Sequence, residues 1–166
     1  HAEAIDHGER AVELAPASGD ANAAAGWSKI AGGDFVEGVK YHKRAMRFEP
    51  FHAGHMPIVL GLGELMAGRY AEVREIAAQL IEGGGGDVRA EPIGLSLKTV
   101  ADFLAGNKVE AEKSVQRLLT DSPNFSVDFF RNMASFNALK DQAFVSRFFD
   151  ALRKAGLPDL PPAQRA

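Results

Sequence analysis

The phrase "RAVELAP" occupies residues 10–16 and "RAMRFEP" residues 44–50, so Pro16 and Pro50 stand 34 residues apart. A chain that writes nearly the same phrase twice at a fixed interval contains an internal repeat, and a period of about 20–50 residues decides a fold before local propensity does. Aligning outward on glutamate extends the series to "HAEA" at Glu3, "GGDFVEG" at Glu37, "AGRYAEV" at Glu72 and "AGNKVEA" at Glu110, with spacings of 34, 35 and 38. The longest interval contains the run Gly83 to Gly86, where a loop would absorb the additional residues.

Within each period the pattern predicts two amphipathic helices around a tight turn. Gly33, Gly68 and Gly106 each follow one apolar periodic segment and precede another, so each ends a first helix. The second helices are expected to carry a buried stripe, as in Val36, Val39, Ala45 and Met46, or Val73, Ile76, Ala77 and Leu80. Pro16, Pro50 and Pro123 stop three of them, because proline disturbs the preceding helical turn. The third ends in glycines instead. Residues 2–16 read as a second helix without its first, so the array is expected to continue upstream and to expose apolar surface at this end. The start at His1, without an apolar signal core behind it, reads as a cut within a longer protein.

Composition narrows the function classes. The chain has 166 residues, 46% of them apolar, enough for a sizeable core. A net charge of -3 supplies no positive excess for a phosphate backbone, which argues against nucleic acid as a partner. The absence of cysteine removes disulfides, thiolate zinc sites and a cysteine nucleophile, and fits a reducing cytoplasm. No run of about 18 apolar residues exists to span a membrane.

The spacing of small residues and prolines resembles the tetratricopeptide repeat. Ala4, Ala11 and Pro16 match the second half of a unit, and Gly26, Gly38, Ala45 and Pro50 match a full one. Leu60 and Gly61 match the first-helix pair of the next unit, and Ala111 and Pro123 match the fourth. Asn22 and Pro57 stand where the family places a large aromatic side chain. The resemblance covers residues 2–123 and implies an all-α superhelical array of antiparallel helix pairs, an α-solenoid, in which small side chains sit where helices cross. The residues beyond 123 read as a degenerate closing pair. Ser126 is placed to cap a helix through Phe129, Phe130 and Met133, and Asp141 another carrying Phe144, Val145, Phe148 and Leu152, ended by Gly156 and Pro158. Eight of the eleven phenylalanines lie after residue 100, as expected of an atypical unit that seals the end. The repeat domain is thus drawn over residues 1–158, with residues 159–166 as a flexible tail.

A second resemblance concerns the setting. "SVQRLLTDSPNFS" at 114–126 and "FFDALRKAGLP" at 148–158 look like the end of the repeat region that follows class III adenylate or guanylate cyclase domains in bacteria. It implies a regulatory, protein-binding appendage to such a signalling domain, not itself catalytic.

Signatures of chemistry are sparse. "GLGELMAG" at 61–68 is not GxGxxG and falls in an expected helix, and the glycine run at 83–86 lacks the Lys and Ser or Thr of a phosphate loop, so no cofactor is implied. No GxSxG elbow organises a nucleophile. His42, His52 and His55 are spaced to ligate a metal, which defines the enzymatic alternative; surface histidines at a repeat junction are the plainer reading.

In the repeat class the exposed edge of each first helix lines a concave inner face. That register places Trp27 and Ile30 there from one unit, Ile58, Leu62 and Met66 from the next, and Val100 and Phe103 from the third. The face is apolar and fits a peptide or amphipathic helix of a partner protein, with Trp27 and Phe103 as anchors and Met66 as an adaptable contact. The alternatives are that these residues pack internally or under the C-terminal helices, or that the surface forms a homodimer.

Overall fold

The computed structural model of the chain describes residues 1–50, 55–83 and 88–164. Among them are ten α-helices and no strand: α1 (Ala2–Leu14), α2 (Gly19–Gly32), α3 (Phe35–Phe48), α4 (His55–Met66), α5 (Tyr70–Gly83), α6 (Ala90–Leu104), α7 (Lys108–Asp121), α8 (Val127–Arg131), α9 (Ala134–Asn137) and α10 (Gln142–Lys154). A 3-10 turn follows at Pro162–Gln164. The expected stops operate: α1, α3 and α7 end at Leu14, Phe48 and Asp121, each two residues before Pro16, Pro50 or Pro123. The helix α5 ends at Gly83, and the glycines at 84–86 lie outside the described residues.

The glycine turns are built alike. Gly33, Gly68 and Gly106 have φ of 99°, 72° and 88°, a left-handed conformation that glycine adopts without a Cβ penalty. In each, the amide after the glycine donates back to the carbonyl five residues earlier: Asp34 to Lys29 at 2.9 Å, Arg69 to Glu64 at 2.9 Å and Asn107 to Asp102 at 2.8 Å. The chain reverses within a few residues, so α2 lies against α3, α4 against α5 and α6 against α7. Neighbouring pairs also touch, through α1 and α2, α3 and α4, α5 and α6, and the even helices contact one another in the order α2, α4, α6.

Small residues set how closely these helices approach. A Cβ added at Gly38 would lie 2.7 Å from the Gly26 carbonyl oxygen, and one added at Gly26 would lie 2.9 Å from that of Gly38, so α2 and α3 cross nearly backbone to backbone. Ala45, one stripe further along α3, is buried, as are its counterparts Leu80 in α5 and Leu118 in α7. Ala4 is exposed and Ala11 half-buried at the corresponding places in α1. Asn22, where an aromatic side chain would be expected, is buried and donates to the carbonyls of Pro16 and Ser18 at 3.1 and 2.7 Å, tying down the turn between α1 and α2.

The C-terminal region departs from expectation. In place of one helix from Ser126 through Met133, two short ones are present, with Met133 extended between them. The Asn132 side chain donates to the Asp128 carbonyl at 2.9 Å and to its carboxylate at 2.7 Å, a local bond that competes with continuing the helix. The break lets Phe130 and Phe136 meet at 5.4 Å between ring centroids. The helix α10 forms as expected, with Asp141 Oδ1 accepting from the Phe144 amide at 2.8 Å. The tail is tied at its first residue. Asp159 accepts from Arg153 at 2.8 Å and Arg131 at 3.4 Å, and its carbonyl accepts from the Asp128 amide.

Gly38→Ala, at the α2–α3 crossing, and Ala45→Leu, at a fully buried position of α3, should each destabilise the fold by about 1–3 kcal/mol through overpacking. Urea unfolding checks this; an unshifted midpoint in both variants would contradict the crossing. Asp159 gives a pH signature. The Arg153 hydrogen bond holds its carboxyl below the ordinary aspartate value, with Arg131 adding to the effect. A depressed folded-state value stabilises above the unfolded-state pKa and is lost as pH falls through the folded one. Asp159→Asn should therefore lower the melting temperature slightly at neutral pH and converge with the parent protein in acid, the effect staying small because the pair is exposed.

Candidate protein-binding surface

Helices that are contacted by neighbours on several sides leave only a narrow strip for a partner. The even helices show this directly: Ile30 and Val100 are fully buried and Leu62 nearly so. Ile30 is packed between its own pair and the next: a Cβ on Gly38 of α3 would come within 2.6 Å of its Cγ1, and one on Gly63 of α4 within 2.8 Å of its Cδ1. Ile30, Val100 and Leu62 are therefore core residues rather than anchors that a partner can reach, a correction to the expected face. Trp27, Ile58, Met66 and Phe103 are half-buried and pack against the same core.

The centre of the even-helix face is already covered, and by this chain. Trp27 of α2, Ile58 and Leu62 of α4 and Leu97 of α6 lie on one side of an enclosed void of about 40 Å³. Phe130, Phe136 and Phe148 of the C-terminal helices close the other side. These rings form a connected cluster, with centroids of Phe130 and Phe148 at 5.2 Å and of Phe136 and Phe148 at 4.8 Å. Offset and edge-on ring pairs of this kind add to the area they bury. The reach is long in sequence: the Lys140 amide donates to the Ala31 carbonyl at 2.8 Å, and His1 Nε2 lies 2.8 Å from the Ala138 carbonyl oxygen. The C-terminal region thus does more than close an end: α10 packs on α6, and the connector before it reaches the ends of α1 and α2.

What stays open is a cleft of about 410 Å³ beside this cover. Its floor is one stripe of α2, where Asp20, Ala23, Ala24 and Trp27 follow one another at helical spacing. Val59 and His55 of α4, with Ser135 and His42, complete the walls. Trp27, Val59 and Ser135 also line the enclosed void, so they form the partition between the two spaces. His42 and His55 share this cleft, while His52 lies outside the described residues. Among the described residues no group of three or more His, Cys, Asp or Glu is arranged to hold a metal ion.

A set of buried charges escaped sequence reasoning. Lys29, Glu64 and Asp102 each stand four residues before a left-handed glycine, and all three are buried. Each meets an opposite charge from the preceding helix: Lys29 with Glu9 of α1 at 2.6 Å, Glu64 with Lys43 of α3 at 2.6 Å, and Asp102 with Arg74 of α5 at 2.6 Å. Arg69 at 2.9 Å and Lys98 at 2.7 Å add second cations to the two carboxylates. The hydrogen bond that Lys29 donates to Glu9 raises the Lys29 pKa above the usual lysine value, against the opposing effect of burial. The signal was positional: a charge at one fixed offset from each turn glycine. Its sign is positive in the first unit and negative in the other two, which hides it from residue-by-residue alignment.

No protein-family model matches the chain, and no curated protein matches it. Among the described residues no helix is long and apolar enough to cross a membrane.

Two outcomes are expected. Phe148→Ala should destabilise by about 3–5 kcal/mol and red-shift the emission of Trp27, the chain's one tryptophan, as the cover loosens; melting with unchanged emission would separate the cover from Trp27. Asp102→Asn should cost about 1–3 kcal/mol, because Arg74 and Lys98 lose a charged acceptor. Reversible thermal unfolding measures it.

Proposed function

We propose that this chain is a non-catalytic protein-interaction module, built as a tetratricopeptide-like array of helix pairs whose last helices form an atypical closing unit. The observation that carries the reading is recurrence at several levels in one frame. Helix, left-handed glycine and helix repeat at Gly33, Gly68 and Gly106, and a buried ion pair precedes each turn at the same offset. Units that bury their faces only against neighbours make a rigid surface suited to holding a peptide or an amphipathic helix. The C-terminal phenylalanines occupy the centre of the even-helix face, so the partner is received on the open cleft beside Trp27. The phrase "LRKAGLP" at 152–158 supports a regulatory setting in the bacterial cytoplasm, next to a signalling domain such as an adenylate or guanylate cyclase.

Selection of the intact chain against a displayed library of random helical peptides tests the reading. Amphipathic helices that protect α2 and α4 amides from hydrogen exchange are the expected product. Enrichment of nothing above background, or of peptides that protect no part of the even helices, would overturn it. A second reading, association of two copies, is favoured by the exposed Leu14, Val36 and Phe48 on α1 and α3. Sedimentation velocity over a wide concentration range decides it by the presence or absence of a dimer.

A further inference from the structure

Resting on the interaction-module reading, the open cleft beside the C-terminal cover defines what its partner must carry. Asp20 and Trp27 lie seven residues apart on one face of α2, about 10 Å along the axis. Ala23 and Ala24 between them present only methyl groups, so the floor between these ends is low and apolar. The two ends differ in chemistry. At one, the indole of Trp27 is backed by Val59 and by the phenylalanine-lined void. At the other, the exposed Asp20 carboxylate forms no ion pair with any described residue, and no lysine or arginine lines the cleft. A volume of about 410 Å³ falls in the range of sites that take a ligand.

We propose that this cleft receives a partner helix that sets an apolar side chain on Trp27 and a basic side chain on Asp20, seven positions apart on one face. The separation carries the argument. A single guanidinium or ammonium group cannot meet both ends, whereas residues seven apart on a helix share a face and span the same distance as Asp20 and Trp27. A helix laid along the α2 stripe therefore matches both contacts in one register. The alanines let its backbone come close, as the small residues at the internal crossings do. Arginine suits the acidic end better than lysine, because its planar fork can take both carboxylate oxygens.

The probe is an alanine- and glutamine-based helical peptide with one leucine and one arginine seven positions apart; a control carries glutamine in place of arginine. Trp27 is the chain's one tryptophan, so its emission reports on the cleft and the cover beside it, while calorimetry reports binding anywhere. The arginine peptide is expected to shift the emission saturably and to bind about tenfold more tightly than the control, as loss of one charge-assisted contact implies. Asp20→Asn should bring the two affinities together while the thermal unfolding stays cooperative, with at most the small downward shift expected on removing an acid from the first turn of α2. Equal affinities for the parent protein, a preference that survives in Asp20→Asn, or no saturable emission change up to the solubility limit would each overturn the proposal. Calorimetric binding with Trp27 unaffected would overturn this cleft and leave the module reading standing, whereas that reading fails only if the library selection also returns nothing.

Discussion

Close approach of helix backbones is the constraint on which everything else depends. Gly26 and Gly38 face each other across α2 and α3 with no room for a single carbon on either. Gly8 meets the Ala25 backbone in the same way between α1 and α2, and Gly94 the Ala77 carbonyl between α6 and α5. Dense contact of this kind maximises dispersion and leaves few voids. It also fixes orientation, since a helix that touches its neighbour at a glycine can rotate little without losing the contact. The cleft is a product of that orientation: the Asp20-to-Trp27 stripe faces outward because the opposite side of α2 is held against α3.

The buried charges work within the same geometry. Lys29, Glu64 and Asp102 sit in the last turn of α2, α4 and α6, where each is met from the preceding helix. Burying a charge is costly unless it is paired and hydrogen-bonded, so each such site penalises misplacement of the two helices it joins. Small residues set the distance between helices, and the ion pairs set their register along the axis.

Much of this architecture was legible in the sequence because its signals are local. A turn that needs positive φ calls for glycine at a fixed place, a helix stop is written as proline, and a tight crossing needs a small side chain. Trp27 was placed on the even-helix edge, and it does line the open cleft. Ile30, Leu62 and Val100 were placed there too and are core, for a physical reason. Ten of the fifteen residues of α6 are buried, so such a helix is apolar around most of its circumference and no single stripe marks the outward face. Packing of the face under the C-terminal helices was one of the sequence alternatives, but the contacts that make the fold-back of α8–α10 were beyond reach for another reason. The Lys140 to Ala31 hydrogen bond joins residues 109 positions apart, and nothing in the local pattern announces such a contact. Only the excess of phenylalanine near the C-terminus hinted that something large had to be buried.

That fold-back matters for how the protein comes into being. During synthesis α1 to α6 emerge well before Phe130, Phe136 and Phe148, so Trp27, Ile58, Leu62 and Leu97 are made long before the rings that cover them. Until the last helices leave the ribosome, a nascent chain presents an uncovered apolar strip, the kind of surface that chaperones retain and aggregates recruit. Arrest or truncation ahead of α10 would therefore yield a sticky intermediate rather than a shorter working protein.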